Sequence, residues 1–118
     1  MNLEMNGKNY DLAFGFDFLD YLNKHNSLTM DVNGQTLNSG LGGATMLAST
    51  LGSRMPSTLM TAIKAGAAHL SQKPSNKDIE AYVNEISDDD EAYELVFMEI
   101  EEAIKKQPAT RREMGLSK

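Results

Sequence analysis

Leu3 and Met5 alternate with polar neighbours, and Tyr10 and Leu12 repeat the alternation beyond Asn6-Gly7. Such alternation turns one side of a strand to a core and the other to water. Asn-Gly suits a two-residue type I′ turn, because both central positions need positive φ. The pattern predicts a β-hairpin from residues 2–5 and 8–13 with one apolar face. Two strands alone are marginally stable, so the hairpin has to lean on helices or on another chain.

From Phe16 to about His25 the period changes. Phe18, Leu19 and Leu22, with Tyr21, share one side of a short helix. Gly15 stands at the bend between strand and helix, where a missing Cβ helps. Phe14 and Phe16 are expected to plug that joint. Residues 26–43 are rich in Asn, Ser, Thr and Gly and read as loop, with an extended piece at Leu28–Val32 before a second turn at Asn33-Gly34. Helices are predicted over 44–52 and 57–70, with Pro56 near the first turn of the second. Ala62, Ala65, Gly66, Ala67 and Ala68 leave that helix little bulk, which places it at the centre of the core.

Ser75 and Asp78 form a near capping box. Ile79, Tyr82, Val83 and Ile86 follow at i, i+3, i+4 and i+7 of a fourth helix. A fifth is predicted over 89–106. Acids open it and Lys105-Lys106 close it, both complementing the helix dipole, and Pro108 marks its end. Residues 107–118 carry no periodic pattern and are expected to be a mobile basic tail. The fold class is α+β, mostly α. An N-terminal β-hairpin packs on a bundle of about five helices, in a single domain of residues 1–106.

Charge narrows the function classes. The net charge is −6, which disfavours nonspecific binding to phosphate backbones. Most of the acids lie in residues 78–102, where no Lys or Arg falls, and the sign then reverses at Lys105, Lys106, Arg111 and Arg112. Such a tail could meet an acidic partner, or the acidic helix of another copy. Cysteine is absent, which removes disulfides and zinc–thiolate sites and fits a reducing cytosol. No apolar run is long enough to span a bilayer, and the first residues do not read as a secretory leader.

Catalytic and ligand motifs are weak throughout. His25 and His69 fall on different predicted helices without a ligand spacing. Gly40-Leu41-Gly42 lacks the third glycine, the preceding strand and the lysine of a phosphate loop. Asp88-Asp89-Asp90-Glu91 lacks the spacing of a calcium loop. No enzyme and no cofactor are expected.

Methionine is the compositional oddity, with eight in the chain. It adapts its shape and is over-used on surfaces that grip varied apolar partners. Along the last predicted helix, Tyr93, Val96, Phe97, Ile100 and Ile104 form one stripe, and Leu95 and Met98 lie off it. They widen the apolar surface beyond one seam, as a helix facing a second body would. Met46, Met55, Met60, Leu95 and Met98 are therefore the candidate partner-binding residues. Lys105, Lys106, Arg111 and Arg112 are the candidate charge contacts of the tail.

The ordered set of features resembles the small tail assembly chaperones of long-tailed bacteriophages, in particular those of Gram-positive hosts. The resemblance runs from the Asn-Gly-Lys turn, the strand with Tyr10, Asp11 and Leu12, and Phe14-Gly15-Phe16. It continues through Gly40-Leu41-Gly42, Ala67-Ala68-His69, Lys73-Pro74-Ser75, Asp78-Ile79 and Tyr82 into the acidic last helix. Residues 44–60 depart from it in being richer in Met, Ser and Thr. The resemblance implies a non-enzymatic protein of the host cytoplasm, missing from the finished virion. It would bind the tape-measure protein, keep it soluble and help tail-tube subunits assemble around it. It would act as a homo-oligomer, alongside a longer frameshifted form diverging near residues 105–118. Nucleic acid and membrane are not among the implied partners. A head–tail connector or tail terminator would share the build, and a small nucleic-acid-binding regulator is a further alternative.

Overall fold

The computed structural model describes residues 1–25, 29–32, 35–38 and 42–117. Strands β1 (Asn2–Met5) and β2 (Lys8–Asp11) pair antiparallel, Leu3 opposite Tyr10. Asn6 and Gly7 both take positive φ, 53° and 75°, as a type I′ turn requires. The hairpin buries Leu3, Met5 and Tyr10, and the chain leaving it buries Leu12 and Phe14.

Helix α1 (Phe16–His25) follows. A second antiparallel pair, β3 (Thr29–Val32) with β4 (Gln35–Asn38), occupies much of the segment read as loop. Only its first strand was expected as extended chain. The Asn33-Gly34 pair lies outside the described residues, as do Gly40 and Leu41. The remaining elements are α2 (Gly43–Leu51), α3 (Pro56–Gly66), α4 (Asn76–Ile86), α5 (Asp90–Lys105) and α6 (Pro108–Met114). The architecture is α+β and mostly α, with six helices among the described residues where about five were expected.

Helix α3 touches α1, α2 and α4, and its small residues explain why it can. A Cβ on Gly66 would come within 3.2 Å of both Leu12 Cβ and Phe14 Cε1, closer than neighbouring atoms normally sit. The Gly66 carbonyl also accepts from Ala13 N–H at 2.9 Å. The glycine lets the strand exit lie directly on the helix. Gly15 shows no such need, since its nearest would-be neighbour is 4.0 Å away. Ser75 caps α4 by accepting from Asp78 N–H at 3.1 Å, and Asp89 caps α5 by accepting from Ala92 N–H at 3.2 Å.

Two expectations are corrected. Phe16 does not plug the joint. It is 77% exposed, whereas Phe14 is 3% exposed and meets the fully buried Phe18 edge-on at 5.0 Å between ring centres. Phe16 opens α1 on the side away from Phe18 and Leu22, so the helical period turns it to solvent. The second correction concerns the chain end. Residues 108–114 form a helix with Thr110 and Met114 buried, packed against α1, α2 and α5. Pro108 at its first turn and Gly115 at its end, φ 69°, are the usual asymmetric signals of a helix. Leu116 N–H donates to Arg111 O at 3.0 Å and Gly115 N–H to Arg112 O at 3.2 Å, closing the C-terminus.

The Thr110 hydroxyl donates to the Phe14 carbonyl at 2.6 Å in a buried setting. Thr110→Val keeps the shape and leaves that carbonyl without its partner, so it is expected to cost about 1–3 kcal/mol. Urea unfolding measures the loss. Thr110→Ser, which retains the donor, should recover most of it, and equal losses in the two variants would show that packing alone holds α6.

Candidate functional site

Helix α5 divides its apolar residues between two sides. Val96, Phe97, Ile100 and Ile104 face the core and are buried. Leu95 and Met98 lie on the outer flank, 55% and 51% exposed. Burying the first set is enough to dock the helix, so the second adds nothing to that packing.

Leu95 and Met98 border a groove of about 860 Å³. One wall is the outer flank of α5, continued by Glu99, Glu102, Ala103 and Lys106. The other is the strand exit, Asp11 to Gly15, with Gln107 at one end. On their other side the same two residues border a shallower depression with Asp89, Glu91 and Glu94. An apolar pair is thus framed by carboxylates. Among the described residues, Glu91, Glu99 and Glu102 form no ion pair. Asp11 lies 3.5 Å from the amino group of Met1.

The helix carrying this face is fixed by Arg54 in the turn between α2 and α3. Its guanidinium holds Glu94 through two parallel bonds, Nε to Oε2 at 3.1 Å and Nη2 to Oε1 at 3.0 Å. It also meets Glu101 at 2.7 Å and lies over the Phe97 ring at 5.0 Å. The hydrogen bonds to Glu94 and then Glu101 push the guanidinium pKa further up, so the cation persists at any ordinary pH. The Tyr93 hydroxyl donates to Arg54 O at 2.6 Å, and burial raises its pKa. Burial, and then the charges of Glu99 and Glu85, raise that of Tyr82 on α4. Sequence pattern alone did not single out Arg54, although a lone cation before a helix whose acids outnumber its bases is a usable signal.

The arrangement leaves an exposed apolar pair rimmed by acids. Among known families, the sequence model of the phage tail assembly chaperone protein (TAC) family matches residues 2–115.

The chain belongs to the phage tail assembly chaperone family.

No curated protein and no solved structure is matched. Membership implies a non-enzymatic role in tail assembly and interaction with tail proteins. Among the described residues, no helix is long and apolar enough to cross a membrane.

In this family member the predicted partner-binding residues do not form one surface. Leu95 and Met98 share the α5 flank. Met60 is half-buried and borders a separate groove between α3 and α4, with Pro56, Lys77 and Glu80. Met55 stands just before the first turn of α3 without capping it through its side chain, and is 48% exposed. Met46 is half-buried on α2. The basic residues also divide. Lys106 borders the α5 groove. Arg111 turns inward, and its Nη1 donates to Lys105 O at 2.9 Å, satisfying a carbonyl at the end of α5. Arg112 is exposed, and Lys105 is half-buried. The exposed Phe16 is the apolar surface residue that the sequence reading missed. Its position off the Phe18–Leu22 stripe is the signal that could have found it.

Proposed function

We propose that this chaperone binds the tape-measure protein of a long-tailed phage through the α5 groove, keeps it soluble and promotes tail-tube assembly around it. The observation that carries the reading is the pair Leu95 and Met98, exposed on a helix already docked by its opposite side. A long apolar client needs adaptable apolar surface, and unbranched Met supplies it. A net charge of −6 helps keep the complex in solution. Helix-in-groove docking suits a helical client. The same proposal places the protein in the host cytoplasm and outside the finished virion. It takes the tail-tube protein, further copies of the chain and a longer frameshifted form as additional partners.

Co-expression with the tape-measure protein tests this. The wild-type chain is expected to move that protein into the soluble fraction. Leu95→Glu with Met98→Glu should abolish the rescue while changing stability by no more than about 0.5 kcal/mol, since both side chains are exposed. Rescue undiminished in the folded double variant would remove the α5 flank from the binding surface. Mass spectrometry of purified particles separates chaperone from connector, because only a connector remains in them.

A further inference from the structure

Resting on that proposal, we infer that the occupant of the α5 groove is a cationic amphipathic helix, one whose apolar stripe is flanked by Lys or Arg. A second copy of this chain does not fit. The outer stripe of α5 reads Glu91, Leu95, Met98, Glu102 at i, i+4, i+7 and i+11, so these four side chains follow one another along one side. An antiparallel pairing of two such helices that sets Leu95 against Met98 also sets Glu91 against Glu102 and Glu94 against Glu99. A parallel pairing sets each glutamate against itself. Either way like charges meet directly, which opposes association.

The same stripe complements a partner of the opposite sign. Glu91, Glu99 and Glu102 are exposed and lie in the two depressions that flank Leu95 and Met98. Among the described residues they form no ion pair, whereas Arg54 pairs with Glu94 and Glu101. Among the described residues, Lys106 is the one Lys or Arg bordering the two depressions, and it lies at the C-terminal end of α5. A docked helix that buries apolar side chains on Leu95 and Met98 would therefore bring its flanking positions to carboxylates. Cations there form new ion pairs, and acids there would be repelled.

Two labelled synthetic peptides of about 20 residues, about 30 Å long as helices, provide the probe. They share one Leu stripe at i, i+3, i+4 and i+7 and carry either Lys or Glu at the flanking positions. Fluorescence anisotropy with the full chain at about 0.15 M salt should show the Lys peptide binding at least about tenfold more tightly, the gain expected of a few exposed ion pairs. Glu99→Lys with Glu102→Lys should reverse the preference, and Leu95→Glu with Met98→Glu should remove binding of the Lys peptide.

Equal binding of the two peptides would overturn the inference. If the double Glu variant still abolished tape-measure rescue in that case, the proposed function would stand without it. Lys-peptide binding insensitive to Leu95 and Met98 would also overturn it, since the cationic helix would then sit elsewhere. So would sedimentation showing a dimer of the free chain that Leu95→Glu dissociates, because a second copy would then own the face.

Discussion

Phe14→Ala is expected to lower stability by about 3–5 kcal/mol, the cost of emptying a buried aromatic site. The melting temperature should fall by roughly 10–20 °C. The ring sits where three parts of the chain converge: the strand exit, Phe18 of α1, and Gly66 of α3, whose absent Cβ makes room for it. Its backbone carbonyl is also the acceptor for Thr110 of α6. Removing the ring leaves a cavity lined by groups that cannot collapse together, because Gly66 has no side chain to advance. Phe16→Ala is the matched control. That ring is exposed, and its loss should change stability by no more than about 0.5 kcal/mol. Thermal melts of the two variants decide the matter, and an undiminished transition for Phe14→Ala would take that ring out of the core.

Arg54→Ala should cost about 2–3 kcal/mol, from lost charge-assisted hydrogen bonds and the contact over Phe97. The substitution also leaves Glu94 and Glu101 without their cation on a helix already crowded with acids. Arg54→Lys should restore little of this, because a single ammonium cannot reproduce the planar fork that serves two carboxylates. A backbone effect is separable. Arg54 has φ 53°, a conformation that disfavours side chains with a Cβ, so Arg54→Gly should lose less than Arg54→Ala. Urea unfolding of the three variants measures these differences. Loss of less than about 0.5 kcal/mol in Arg54→Ala would show the cluster to be a surface ornament rather than the clamp on α5.

The residue pattern anticipated α4 and α5 well for a common reason. Each begins with a side-chain cap that acts within three residues, Ser75 on Asp78 and Asp89 on Ala92, and each carries an apolar stripe at helical spacing. Asn6-Gly7 is equally local, since the turn needs only two positive φ angles. Helix α6 was missed although Pro108 and Gly115 bracket it. Pro108 both follows the end of α5 and opens the next helix. With only Thr110 and Met114 buried, seven residues hold too short a repeat to show a period.

The candidate site was legible in part. That Leu95 and Met98 fall outside the stripe of α5 follows from spacing alone, and the structure leaves both exposed. That Met46, Met55 and Met60 fail to join them does not follow from spacing, because they sit on α2, before α3 and within α3, and composition says nothing of how helices are arranged. The sequence by itself determined the local events: the hairpin turn, the caps, and for α4 and α5 the side that turns inward and the side left exposed. Those depend on φ preferences and periods that act over a few residues. Only the tertiary structure decided which distant residues meet. It set the strand exit on Gly66, tied Thr110 to Phe14, spent Arg54 on two of α5's acids, and so left Glu91, Glu99 and Glu102 around an uncovered apolar pair. The physical reason is that these contacts join positions far apart in the chain, where no periodicity reaches.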